Sequence, residues 1–376
     1  MSRESPDAAE VAASDLALPA ELSRRRLRWR LLIAIGLVAA VVAIVALLPG
    51  LGELRSRLSH ASPGWLLLGV GLKFLSGVGY VAAFRMVFCR CMSWRVSYQI
   101  GMSELGADAL FPTGGAGALA LGAWALRRGG MAARDIARRT VAFFLLTSVP
   151  NVGGVILIGC GLATGVLAGE RNLLLTAVPA AIAATAIVAV VVAGRLAARS
   201  GLRIQSRTRQ QSSRRERVWR ESLIALADGV EEALALLREA NLVLIAGLLA
   251  YLVFDVTILW ATFRALGSAP PLGIVVIAYL IGELGGLIPV PGGIGGIDAG
   301  LVGTLALYHV PLASAAGAVL AYRAIALWVP ALVGGTAFVV LRRTLRNEAD
   351  RVAVCAPQTE MEIIGLGRVV IRADAP

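Results

Sequence analysis

Apolar residues in this chain gather into long runs, and a helix that crosses a bilayer needs about 20 of them at 1.5 Å rise each. Six runs approach or exceed that length: 31–48, 65–87, 140–162, 173–193, 242–265 and 314–341. Two further apolar regions, 97–126 and 272–309, are interrupted midway by proline and clustered glycine. The interruptions are Pro112, Gly114, Gly115 and Gly117 in the first region, and Pro291, Gly292, Gly293 and Gly295 in the second. Proline removes a helix hydrogen bond and glycine weakens the helix around it, so neither region forms one continuous helix. The pattern predicts an all-α, polytopic membrane protein with six full spans and two re-entrant Pro-Gly hairpins.

Polar positions orient these spans. Five arginines at 24–30 hold the amino terminus in the cytosol, since basic residues accumulate on that side of a membrane. With six spans and two hairpins, the clusters at 127–139, 195–220 and 342–346 all fall inside, and so do both termini. Only Arg55, Arg57, Arg171 and Arg264 fall outside. An odd number of crossings in either broken region would expose a basic cluster.

The broken regions are related to each other. Glu104-Leu105-Gly106 precedes the first Pro-Gly cluster and Glu283-Leu284-Gly285 precedes the second, with the spacing offset by one residue. The chain then reads as a repeat in which 31–48, 65–87, the first hairpin and 140–162 correspond to 173–193, 242–265, the second hairpin and 314–341. Matched elements cross in opposite directions, which is an inverted-topology repeat of the kind that builds transporter sites near the midplane. The organisation expected is a cytosolic tail 1–30, a first membrane repeat 31–162, the start of the second at 163–194, a basic linker 195–241, the rest of the second repeat at 242–341 and a tail 342–376. Within the linker, Leu223, Ile224, Leu226, Val230, Ala233, Leu234, Leu236 and Leu237 recur at helical spacing with Glu231, Glu232 and Arg238 opposite, as in an interfacial helix. The stretch Ile363–Ile371 suits a strand or a docking segment.

Composition excludes a water-soluble globule: 57% of residues are hydrophobic and 16% charged, with mean hydropathy +0.76. Net charge is +12, and Lys73 is the only lysine, so arginine carries the remainder. Because those arginines cluster between apolar runs, they read as markers of the cytosolic face and not as a nucleic-acid surface. Cys89 and Cys91 are one residue apart with no histidine nearby, which is not zinc spacing. Neither a metal nor a cofactor is expected. The chain lacks Gly-x-Ser-x-Gly, Walker and His-Glu-x-x-His patterns, so an enzyme is not expected either.

Ionisable side chains within the bilayer are costly and mark function by default. The candidates are Asp255, Glu283, Asp298 and Arg323 in the second half and Lys73, Glu104 and Asp108 in the first. Asp255 and Arg323 lie at compatible depth and are expected to pair, either as a fixed ion pair or as one that opens for a phosphate or a proton. Glu104 and Asp108 share a helical face and are expected near Arg127 and Arg128. The broken segments, with unpaired backbone N–H groups at a half-helix start, suit the lining of a wet pathway or a phosphate contact.

The stretch Ile288-Pro289-Val290-Pro291-Gly292-Gly293-Ile294-Gly295-Gly296-Ile297-Asp298, followed by Val310-Pro311, Ala315-Ala316 and Tyr322-Arg323, resembles the signature of the lysylphosphatidylglycerol synthase transmembrane family. The similarity covers about residues 30–342. It implies a flippase-like domain, similar to the membrane region of bacterial multiple-peptide-resistance proteins, that moves a phospholipid or a polyprenyl-linked lipid between leaflets of the cytoplasmic membrane. Family positions matched here are Pro291, Gly292, Gly293, Gly295, Asp298 and Arg323. The transferase domain that follows in the synthases is not found, so synthase activity is not implied. In addition, Ala118-Leu119-Ala120-Leu121-Gly122 stands where the family often carries a charge. The alternative function is a non-transporting scaffold for a lipid-modifying or glycosyl-transferring enzyme partner.

Overall fold

The structure, a computed structural model, describes residues 59–110, 116–166, 214–267, 269–285 and 295–347 and two short strands near the carboxyl end, with single helical positions among 36–56 and 178–196. The expected span 31–48 therefore lies outside the described residues except at one position, and 173–193 lies mostly outside them. The tail 1–30 and the centres of both Pro-Gly breaks also lie outside them.

Among the described residues the elements are α1 (Pro63–Phe88), α2 (Trp94–Leu110), α3 (Ala116–Arg128), α4 (Ala133–Thr164), α5 (Arg214–Arg238), α6 (Leu242–Ala265), α7 (Leu272–Leu284), α8 (Gly296–Leu307) and α9 (Leu312–Asn347), then β1 (Glu360–Ile364) and β2 (Arg368–Arg372), which pair antiparallel. Four helical stretches among the described residues are long and apolar enough to cross a membrane: Pro63–Phe88, Ala133–Leu162, Leu242–Ala265 and Leu312–Arg346. Local chemistry sets several of their ends. Pro63 opens α1 at a position where a missing N–H costs nothing. The Asn241 side chain accepts from Val243 and Leu244 N–H to start α6, and Gly165 ends α4 in the left-handed region at φ 76°.

Helices α1 and α6 form the spine and run antiparallel. Their contacts step in opposite directions along the two chains: Trp65 meets Trp260, Lys73 meets Asp255, and Gly79 meets Gly247. At that last crossing a Cβ on Gly79 would lie 2.8 Å from the Gly247 carbonyl oxygen, and one on Gly247 would lie 2.7 Å from the Gly79 carbonyl. Only glycine lets the backbones come this close, as at small-residue crossings in membranes.

The helices on either side of each break fold back on one another. In the first pair the Glu104 carboxylate of α2 lies against Gly122 of α3, and in the second Gly282 of α7 lies against Leu301 of α8, while Gly285, just past α7, lies against Gly296 and Ile297 at the start of α8. The chain enters and leaves the first pair at one end of the bundle, where the Arg139 guanidinium near the start of α4 donates to the Phe88 carbonyl at the end of α1.

The packing has a further regularity. Exchanging α1 with α6, α2 with α7, α3 with α8 and α4 with α9 maps the principal contacts among these eight helices onto themselves. The helices α4 and α9 each carry an internal proline, Pro150 and Pro330. Four residues beyond each proline a glycine meets the opposite half: Gly154 packs on Leu280 of α7, and Gly334 packs on Gly106 of α2.

Buried apolar residues form two main clusters at opposite ends of the bundle. One gathers Phe88, Met131, Leu244 and Leu341, beside Arg90, Arg95, Arg127, Arg128, Arg139, Arg342, Arg343 and Arg346, and is called here the arginine end. The other gathers Leu162, Leu266, Tyr308 and Ala315. Helix α5 is amphipathic as expected, and its apolar face is docked on the protein. Ala227, Val230, Ala233 and Leu236 are buried. A Cβ on Gly229 would lie 3.0 Å from the Arg138 carbonyl oxygen of α4. Arg134 pairs with Asp228 at 3.2 Å, Arg138 with Glu232 at 3.7 Å, and Arg90 with Glu239.

Candidate functional site: a charged layer at mid-depth

Midway along α1, α6 and α9 the apolar surface gives way to a layer of charged and phenolic groups. Lys73, eleven residues into α1, donates to both carboxylate oxygens of Asp255 in α6 at 2.8 and 2.9 Å. Lys73 is 7% exposed and Asp255 3%. A two-pronged ion pair at this depth satisfies groups that would each be strongly unfavourable alone. Tyr279 of α7 places its hydroxyl 3.5 Å from Asp255 Oδ2, and the Lys73 ammonium sits 5.9 Å from the centre of the Tyr251 ring.

A second pair lies in the same layer. Arg323 of α9 donates from Nε to Asp298 Oδ1 of α8 at 2.9 Å. The other carboxylate oxygen of Asp298 accepts the Gly295 N–H at 2.8 Å, and Gly295 holds φ at +89°, a conformation glycine adopts without strain. The break before α8 thus puts a carboxylate on the helix's own amino end and an arginine on the carboxylate. The expected pairing of Asp255 with Arg323 is corrected by this arrangement. The α1–α6 glycine crossing turns Asp255 toward α1, where Lys73 is the nearest cation, while Arg323 faces α8.

Glu283 of α7 is partly exposed and lies within electrostatic reach of Asp255, Lys73, Arg323 and Asp108. Asp108 of α2 is solvent-accessible and within reach of Lys73 and Arg323. Tyr322, edge-on to Tyr279 at 6.2 Å between ring centres, completes the lining. Two cations, Lys73 and Arg323, thus face four carboxylates, Asp108, Asp255, Asp298 and Glu283, drawn from both halves of the chain. The carboxyl groups in surplus can receive an ammonium group, a proton or hydroxyl donors. Loosening either ion pair frees a cation for a phosphate.

Glu104 stands apart from the layer. It is 3% exposed and accepts from the Tyr80 hydroxyl at 2.9 Å. The expected proximity of Glu104 to Arg127 and Arg128 is also corrected: Glu104 faces Gly122, more than a turn short of those arginines. Among the glycine and proline candidates, Gly117 is buried in the first turn of α3 and Gly295 caps α8. Pro112, Gly114, Gly115, Pro291, Gly292 and Gly293 fall outside the described residues. Three tyrosines, Tyr80, Tyr251 and Tyr279, join the site without a motif to mark them; a hydroxyl-bearing side chain inside an apolar run is the available signal.

Fold and site together define a helical membrane protein with a layer of charged side chains partway along its long helices. Residues 28–334 match the family described as the lysylphosphatidylglycerol synthase TM region, and the chain belongs to that family. No curated protein matches the chain significantly.

Proposed function

We propose that this protein moves the polar headgroup of a membrane lipid, a phospholipid or a polyprenyl-linked lipid, between the leaflets of the cytoplasmic membrane. The observation that carries this reading is the charged layer. Lys73–Asp255 and Arg323–Asp298 sit at mid-depth with Asp108 and Glu283 beside them, where ionisable groups persist if they serve a pathway. In this reading six full spans and two re-entrant hairpins form an inverted-topology repeat. The antiparallel α1–α6 spine, the folded-back helix pairs and the self-mapping packing support it, because an axis that exchanges antiparallel helices lies in the membrane plane. The arginine end faces the cytosol together with both termini. The protein performs no bond chemistry and needs no cofactor. Its ligand is the lipid itself, and a lipid-modifying enzyme supplies or consumes that lipid.

The test is reconstitution into vesicles with a headgroup-labelled phospholipid. Protein-containing vesicles exchange label between leaflets faster than empty ones. A rate equal to that of empty vesicles, with the protein folded and inserted, would favour instead a scaffold that organises its enzyme partner.

A further inference from the structure

Along the outside of the bundle, away from the charged layer, α2 and α9 leave a groove between them. At its deeper end lies a cavity of about 550 Å³ with almost wholly apolar walls, including Gly106, Leu110, Leu121, Leu332 and Gly335. A second cavity of about 290 Å³ continues toward the arginine end, lined by Arg95, Tyr98 and Gln99 of α2 among others. The two share Thr336 and Val340 in their walls. Leu332 is 65% exposed, and Val339 and Val340 also turn outward. In a chain of this family that surface meets lipid hydrocarbon, so the deep cavity is a slot open to the bilayer and not an internal void.

The shallow end has a different character. Arg95 is exposed at the first turn of α2 and makes no ion pair among the described residues. Gln99 lies one turn deeper. It is 4% exposed, and its side-chain oxygen is buried with no hydrogen-bond partner. A buried acceptor left unpaired is unfavourable. Its position in the wall of the cavity calls for a donor arriving from that cavity. The Thr336 hydroxyl donates to the Val333 carbonyl at 2.7 Å, which leaves its oxygen free to accept.

We infer that the α2–α9 groove binds one glycerophospholipid of the leaflet at the arginine end. One acyl chain lies in the slot past Gly106 and Gly335, the phosphate lies at Arg95, and a hydroxyl or ammonium donor of the headgroup lies on Gln99. The order cation, buried acceptor, apolar slot along one groove matches the order headgroup to tail along one lipid. The guanidinium is the preferred partner for phosphate. This site stands on its own observations and holds whether or not lipid crosses the bundle.

The probe is phosphatidylglycerol carrying a photoactivatable group on its acyl chain, mixed at low fraction into discs that hold the full-length protein, with adducts mapped by mass spectrometry. Adducts concentrate on the slot walls of α2 and α9. Gly335→Leu fills part of the slot: its Cβ meets nothing within 4 Å, and leucine favours the helix. It lowers slot adducts about tenfold with the melting temperature held or raised. Arg95→Ala and Gln99→Leu each lower them severalfold. A matching phosphatidylcholine probe, whose choline offers no N–H or O–H donor, labels the slot more weakly than phosphatidylglycerol. The inference is overturned if adducts spread evenly around the bundle, if Gly335→Leu leaves slot labelling unchanged, or if phosphatidylcholine labels the slot as strongly.

Discussion

Replacing Lys73 with methionine keeps the length of the side chain and removes its charge, leaving the Asp255 carboxylate buried without a cation. The two side chains are 8% and 5% exposed, so little solvent reaches the remaining charge. Breaking a buried pair from one side costs about 3–5 kcal/mol. Asp255→Leu exposes the complementary problem, an ammonium with no carboxylate, at a similar cost. If the two effects were independent, the double variant would lose about 6–10 kcal/mol. Because each single loss consists mainly of stranding the partner, the double variant is expected within about 2 kcal/mol of the parent, with the Tyr279 hydroxyl losing its long contact to Asp255 as the residual cost. The measurement is reversible unfolding in mixed detergent micelles, followed by tryptophan fluorescence, for the parent, both single variants and the double variant. Single variants that cost under about 1 kcal/mol, or a double variant as destabilised as the sum, would refute the claim that this pair bridges α1 and α6 in isolation from water.

Three other expectations follow from particular contacts. Gly79→Ala and Gly247→Ala each push the α1 and α6 backbones apart and cost about 1–3 kcal/mol. The double variant costs less than the sum in the same unfolding assay, since one separation relieves both collisions. Gly122→Ala drives a methyl group into the Glu104 carboxylate and disturbs its hydrogen bond to Tyr80. It lowers thermal stability, and Glu104→Ala in the same chain recovers part of the loss, whereas no recovery would place the clash elsewhere. In a background without other cysteines, His309→Cys reacts with an impermeant thiol reagent from outside the cell and Gly129→Cys only after permeabilisation. The reverse pattern contradicts the assigned orientation, and labelling of both positions from one side contradicts the inverted repeat.

The membrane helices were legible because lipid forces every backbone group to be satisfied within its own segment, which leaves long apolar runs as an unmistakable trace. The paired breaks were legible for a related reason, since proline and glycine clusters cannot continue a helix. Depth was legible too: Lys73, Asp255 and Arg323 stand near the middle of their runs. What a linear pattern does not carry is the rotation of each helix about its axis. Asp255 was matched with Arg323 by depth alone, while its direction is set by the Gly79–Gly247 crossing, and two glycines in a chain that holds 42 give no sign of their partnership. The amphipathic pattern of α5 likewise specified a buried face without specifying the surface that covers it. The ion pairs and close backbone contact to α4, through Arg134, Arg138 and Gly229, decide that.

The central claim, that a lipid headgroup crosses at the charged layer, is tested most directly by comparing leaflet exchange of headgroup-labelled phospholipid in vesicles containing the parent, Arg323→Ala or Asp255→Asn. Each protein is first shown to be folded and inserted to the same extent. The account predicts exchange above the empty-vesicle rate for the parent and a loss of about tenfold or more in each variant, since each substitution removes a charged group from the layer. Parent vesicles no faster than empty ones, or variants as fast as the parent, would contradict it.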